Sequence, residues 1–236
     1  MEKRVDGLLL ASIHPTAEAG RMALDAGFPL VAMDQALPIS CIQVGFPFSS
    51  AAVLATEHLI ACGHRRIGFL GAPLDRPSRR QMLGGFQGCL RDHGLPLPES
   101  WIQLASAESE QAGNYEFATG AAGALAFLAM DERPTAYLCL NDMTAFGAMK
   151  TFREAGLILP RDASIVGCDN LAFGAVSSPA LTTLDQHAYE MGNLASRLLI
   201  EQIEQPGCVQ SSVQLEPTLI VRDSVHCLSA EYDFQV

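Results

Sequence analysis

Short, continuously apolar runs alternate with longer segments of helical period along most of this chain. The runs VDGLLLA (5–11), PLVAM (29–33), CIQVGF (41–46), RIGFLG (66–71), WIQLA (101–105), TAYLCL (135–140) and SIVGCD (164–169) have strand length. Most lack polar alternation, which suits parallel strands covered on both faces. Four segments between or after them predict helices. SSAAVLATEHLIACG (49–63) opens on serines and closes on Gly63, a residue suited to end a helix in the left-handed conformation. RRQMLGGFQGCLRDHG (79–94) and NDMTAFGAMKTFREAG (141–156) also end on glycine. HAYEMGNLASRLLIEQIEQPG (187–207) places Met191, Leu194, Ala195 and Leu198 on one face. From residue 66 onward the order β-α-β-α-β-α-β predicts an α/β fold with a doubly wound parallel sheet and right-handed crossovers.

Ligands of such sheets bind outside the carboxyl ends of the strands, and those ends are polar here. Asp34 follows PLVAM, Asp75-Arg76-Pro77-Ser78 follow RIGFLG, Asn141-Asp142 follow TAYLCL, and Asp169-Asn170 follow SIVGC. Two readings stand side by side. Asp, Asn and Ser before a helix are N-caps, and Ser78-Arg79-Arg80-Gln81 fits the capping box. Polar groups converging on one rim also describe a binding mouth. Asp34 is the hardest to read as a cap, because Gln35-Ala36-Leu37-Pro38 is a poor helix start.

Charge narrows the partners. With 15 Lys and Arg against 26 Asp and Glu, the 236-residue chain carries a formal net charge of −11. That field opposes phosphate backbones, so these residues do not grip DNA or RNA by themselves. Five arginines nevertheless crowd into residues 65–80. Arg65 and Arg66 fall at the amino end of their strand, as surface charge remote from the mouth. Arg76 falls in the loop at the carboxyl end, whereas Arg79 and Arg80 fall in a first helical turn, where the macrodipole disfavours cations.

Catalytic chemistry leaves no trace. The chain has no GxSxG elbow, Walker A loop, HExxH, or GxGxxG after a strand. No catalytic residue, metal ligand or cofactor is predicted, and the chain reads as a non-enzyme. His58 and His64 flank a helix end and read as capping residues, and GAAG (120–123) reads as close helix packing. The 7 cysteines form no CxxC pair and are odd in number, which predicts reduced thiols in a cytoplasmic protein. The amino-terminal apolar run is too short to cross a bilayer, and Asp6-Gly7 interrupts it as a signal peptide.

Four stretches resemble the lactose/galactose repressor family: ATEHLIACGHRRIGFLGAP (55–73), RPTAYLCLNDMTAFGAMKTFREAGLILPRDASIVGCDN (133–170), SPALTTLDQHAYEMG (178–192) and RDS (222–224). The resemblance implies a type I periplasmic-binding-protein-like core of two Rossmann-like lobes with parallel sheets and a small-molecule effector in the cleft between them. Residues 1–46 plus 188–214 would form an amino-terminal lobe, which looks truncated. Residues 47–185 plus 217–226 would form the carboxyl-terminal lobe, and 227–236 a tail. It further implies the effector-sensing core of a bacterial transcriptional repressor acting as a homodimer. Operator DNA would be bound through a domain absent from this chain, with no membrane involved. A solute-binding protein of a sugar transporter is the alternative. By position in the family's motifs, Asp34, Ser78, Asn141, Asp169 and Gln186 would contact the effector, and Arg76 matches purine-binding members. Met82 stands where the family usually carries arginine, and Arg79, three residues earlier on the same helix face, could partly restore that cation. A sugar-like or purine-like effector is the expectation.

Overall fold

The computed structural model describes residues 5–11, 17–34, 39–106, 115–207 and 211–228. Its contacts divide the chain into two compact units. The first comprises Met1–Pro47, Arg76–Ser78 and Gln186–Glu216, and the second Phe48–Asp75, Arg79–Asp185 and Pro217–Val236.

In the first unit, β1 (Leu8–Ala11), β2 (Leu30–Asp34), β3 (Ile42–Gly45) and β9 (Val213–Gln214) form a parallel sheet in the order β1-β2-β3-β9. Its centre is dry: Leu30, Val31, Ala32 and Val44 are buried. Helix α7 (Ala188–Glu204) lies on β2 and β3 and buries Met191, Ala195 and Leu198, the face that the helical period predicts. Helix α1 (Ala17–Asp25) precedes β2.

The second unit is built on a six-stranded sheet in the order β10-β8-β7-β6-β4-β5. The strands are β4 (Ile67–Gly71), β5 (Ile102–Leu104), β6 (Ala136–Cys139), β7 (Ser164–Cys168), β8 (Thr182–Asp185) and β10 (Thr218–Ile220). All neighbours are parallel except β10, which runs antiparallel to β8. Every residue of β4, β6 and β7 is buried, as expected of parallel strands covered on both faces. The helices are α2 (Phe48–Ala61), α3 (Pro77–Asp92), α4 (Tyr115–Leu128), α5 (Asp142–Glu154) and the short α6 (Ala172–Val176). Residues 99–101 form a 3₁₀ turn ahead of β5.

Packing is tightest between α4 and α5. A Cβ at Gly120 would collide with the Thr144 carbonyl oxygen, and one at Gly147 with that of Phe117, so the two backbones approach closely only because both positions are glycine. The GAAG segment therefore serves the close packing expected of it. Beneath these helices, the Tyr137 ring sits 4.9 Å from both Phe127 and Phe152, and its hydroxyl donates to Pro134 O at 2.7 Å. On α2 and α5 the terminal glycines behave as predicted: Gly63 has φ 91° and Gly156 φ 86°.

Three expectations are corrected. Helix α3 starts at Pro77, one residue before the expected Ser78 cap. Proline at the first helical position needs no N–H partner and arrives with a helical φ, so Ser78 lies inside the first turn. His64 caps α2 through its backbone alone, its N–H donating to Leu59 O at 3.1 Å, while its side chain is buried beneath the sheet's amino edge. Its Nε2 contacts Ser164 Oγ at 2.9 Å and His226 O at 3.0 Å, and its Nδ1 lies 3.0 Å from Thr135 Oγ1. A carbonyl only accepts, so Nε2 carries the proton and Nδ1 accepts from the Thr135 hydroxyl. Finally, the cysteines are not all free. Cys62 and Cys227 form a disulfide across 165 residues of sequence, a distance at which spacing gives no hint of pairing. Cys41, Cys89 and Cys139 are free thiols; Cys208 lies outside the described residues.

Candidate functional site

The polar residues predicted at the strand ends do lie there, and they differ in how far the fold already uses them. Asp34 closes β2 with φ 69°, a left-handed conformation uncommon for non-glycine residues and concentrated at functional sites. Its Oδ1 is buried with no hydrogen-bond partner among the described residues. Burial raises the carboxyl above its ordinary range, and the Arg76 guanidinium pulls in the opposite direction. Arg76, assigned to the same unit, likewise has a buried Nε without a partner. Two opposite charges near each other, each with an unsatisfied polar atom, form an incomplete arrangement. Ser78, in the first turn of α3, and Gln186, just beyond β8, are half-buried.

The second unit holds the rest. Asn141, after β6, caps α5: its backbone is extended at φ −153° and its Oδ1 accepts from Thr144 N at 2.9 Å. Its Nδ2 donates to Glu116 Oε1 at 2.7 Å. Tyr115 OH donates to the same oxygen at 3.3 Å and accepts from Arg79 Nη2 at 3.0 Å. Arg79 is buried, and its Nη1 also donates to Pro73 O at 3.0 Å and Asp75 Oδ1 at 2.9 Å. The guanidinium thus ties the loop after β4 to the start of α4. Met82, one helical turn further on, is fully buried in the core. Arg80 is exposed and donates to Leu74 O, and Arg65, also exposed, bonds to Ile60 O and His64 O.

A second network braces the ends of β7 and β8. Asp142 is fully buried; its Oδ1 accepts from Thr183 Oγ1 at 2.5 Å and its Oδ2 from Leu171 N at 2.7 Å. A Cβ on Gly167 would collide with Oδ1, so glycine in β7 makes room for the carboxyl. Burial pushes this carboxyl up to about 6, against the pull of those two hydrogen bonds and the charge of Arg222. Asp169 and Asn170 both have positive φ, 119° and 50°. Asn170 is then pinned from both sides, accepting from Arg222 Nη2 at 2.7 Å and donating to Asp185 Oδ2 at 3.0 Å. Reading the sequence did not single out Glu116, Tyr115, Thr183 or Arg222 for these roles. Thr183 and Arg222 sat inside motifs quoted for the family resemblance, which was the available signal; Glu116 and Tyr115 offered none.

No described helix is long and apolar enough to cross a membrane. A family model for a periplasmic binding protein-like domain matches residues 56–225. The chain is 32% identical over 229 residues to the ribose operon repressor of Haemophilus influenzae, a match covering 97% of this chain and 66% of that protein. The chain therefore spans just under two thirds of that relative's length. Among solved structures, a regulatory protein of the LacI family from Chloroflexus aggregans matches with a TM-score of 0.84 at 30% identity, over 94% of this chain and 77% of that one. A LacI-family transcriptional regulator from Enterococcus faecium with bound ribose matches with a TM-score of 0.82 at 25% identity, over 95% of this chain and 81% of that one. The repressor-family motifs, the parallel α/β sheets and these matches agree: the chain belongs to the LacI family and carries its periplasmic binding protein-like domain.

Proposed function

We propose that residues 1–236 are the effector-sensing core of a cytoplasmic DNA-binding transcriptional regulator, a repressor, and not an enzyme. The effector is a small polar molecule, sugar-like or purine-like. Asp34, Arg76, Ser78, Asn141, Asp169 and Gln186 contact it; of the other two candidates, Met82 is fully buried and Arg79 is buried against Pro73, Asp75 and Tyr115. In this reading residues 1–46 plus 188–214 act as one lobe, 47–185 plus 217–226 as the other, and 227–236 as a tail. One observation carries the proposal: Asp34 Oδ1, at the carboxyl end of β2, and Arg76 Nε are buried polar atoms without partners among the described residues. Leaving such a group unsatisfied costs about 1–3 kcal/mol, and a ligand bearing hydroxyls or ring nitrogens would satisfy both. Effector binding acts by favouring one of two conformations that differ in affinity for operator DNA, which a separate DNA-binding domain engages.

Calorimetry with D-ribose, then other pentoses, hexoses and purine bases, tests the reading. Asp34→Ala and Arg76→Ala each weaken binding about 10- to 150-fold, the worth of one charge-assisted hydrogen bond. Arg65→Ala leaves it unchanged. Tight binding indifferent to both Asp34 and Arg76 would sink the assignment. The homodimer forms through the outer face of α5 and α6, where Phe173 and Val176 are exposed and the Phe173 ring meets Phe146 at 6.0 Å. Sedimentation of Phe173→Glu should show dissociation; an unchanged dimer, or a monomeric wild type, counts against that surface.

A further inference from the structure

The carboxyl-terminal halves of α2 and α3 bring together three side chains that the effector reading does not use. From Arg79 onward, α3 belongs to the second unit together with α2. A Cβ at Gly85 of α3 would collide with the Ser49 carbonyl oxygen of α2, so the absence of that carbon lets the two backbones approach closely at that point. Cys89 lies one turn beyond Gly85 on α3, and His93, in the turn that follows α3, keeps the helical spacing with its N–H donating to Cys89 O at 3.1 Å. Glu57 lies two turns beyond Ser49 on α2. The Glu57 carboxylate, the Cys89 Sγ and the His93 ring each offer an atom, and the three atoms all lie within 4.8 Å of one another. Cys89 is buried, whereas Glu57 and His93 are exposed.

We propose that Glu57, Cys89 and His93 form a transition-metal site, with zinc as the metal its ligands suit best. A thiolate, an imidazole and a carboxylate together favour zinc and disfavour the hard cations magnesium and calcium. Tetrahedral zinc with bonds of about 2.0–2.3 Å holds its ligand atoms roughly 3.3–3.6 Å apart. Small side-chain rotations close the remaining gap, because two of the three ligands are exposed. The exposed side leaves the fourth position to water. Charge also favours a cation: the thiolate and carboxylate neutralise it, and both helices point their partially negative carboxyl ends this way. Helices that follow parallel strands end at the strands' amino edge, so the site lies on the opposite edge of this sheet from Asn141 and Asp169. A bound ion would clamp α2 to α3 independently of any effector.

The test uses the whole chain, fully reduced and stripped of metal, titrated with Co²⁺ as a spectroscopic probe and then with Zn²⁺. Wild type should bind one equivalent of cobalt with a thiolate-to-metal charge-transfer band, and zinc should displace it. Cys89→Ala abolishes the band. His93→Asn and Glu57→Gln, both exposed substitutions that do not disturb the core, weaken cobalt binding about tenfold or more, within or above the range known for residues one shell further out. Cys41→Ser leaves it unchanged. Zinc should raise the thermal midpoint of wild type and not of His93→Asn, by mass action on the folded state. The proposal fails if no charge-transfer band forms, if it survives Cys89→Ala, or if His93→Asn and Glu57→Gln bind cobalt as wild type does.

Discussion

Two buried groups in the second unit should titrate in opposite directions over the same pH range and conceal each other. His64 is 2% exposed, and burial lowers its imidazole from 6.5 to about 4. Between these values the unfolded chain binds the proton that the folded one refuses, so stability rises with pH. Asp142 is 0% exposed, and its carboxyl is raised from 3.8 to about 6. In that window the folded chain holds the extra proton, so stability falls as pH rises. At about 1.4 kcal/mol for each pH unit between folded and unfolded midpoints, each group contributes on the order of 3 kcal/mol, with opposite sign. Wild type should therefore show little net dependence from this pair between about pH 4 and 6. Single variants uncover it. His64→Gln keeps an amide N–H for the His226 carbonyl but cannot titrate. On acidification from pH 6.5 to 4, its stability relative to wild type should rise by about 3 kcal/mol. Asp142→Asn should lose a similar amount relative to wild type from pH 6 to 4. The assay is the urea midpoint followed through Trp101, the chain's single tryptophan, which is buried in the second unit. Constant offsets from lost hydrogen bonds do not matter, because only the slope of the difference is read. A flat difference for either variant across this range would refute the reasoning.

The α4–α5 contact makes Gly120→Ala and Gly147→Ala destabilising by about 1–3 kcal/mol through forced separation of the backbones. Gly84→Ala, whose Cβ meets nothing within 4 Å, should instead stabilise by about 0.5–1 kcal/mol; thermal denaturation compares them, and equal effects would count against the close crossing. Ser224→Ala removes the acceptor of Thr182 N at 2.8 Å and should cost about 1–3 kcal/mol for the orphaned buried N–H, measured by urea unfolding. Asn141→Ala should cost about 1 kcal/mol as a lost N-cap, while Asn141→Asp, which keeps the capping oxygen, should recover part of it; no recovery would mean that the bond to Glu116 matters more than the cap.

The sheets and their long helices were legible because their signals are local. Runs such as RIGFLG and SIVGCD carry the continuous hydrophobicity of doubly covered strands, and Gly63 and Gly156 mark helix ends by backbone geometry alone. What escaped depends on distance in the chain. The β8 stretch TTLD carries no continuous apolar run, β9 is two residues long, and β10 earns its place only by pairing with β8. His64 looks like a helix-end residue until Ser164 and His226 arrive from 100 and 162 residues away. The same holds for Cys62 and Cys227. The sequence places Arg79 in a first helical turn as a candidate cation for the effector, whereas the fold buries it by supplying Asp75, Pro73 and Tyr115 as partners.

The strand-end residues were expected to be either caps or ligand contacts, and their hydrogen bonds separate the two roles. Asp142 is committed to the scaffold: both oxygens are satisfied and Gly167 exists to admit one of them. Asn141 is divided, with one bond from each amide atom committed to protein and one donor and one lone pair left over. Asp34 has an oxygen with no partner among the described residues, held in a left-handed backbone. A fold tolerates a group of that kind where something other than the described protein completes it, since buried polar atoms are otherwise almost always paired. Substitution at Asp142 should therefore show first in stability, whereas substitution at Asp34 should show first in effector affinity. On the proposed assignment, Asp34 and its neighbour Arg76 are the end of this range where substitution changes specificity without unfolding the domain.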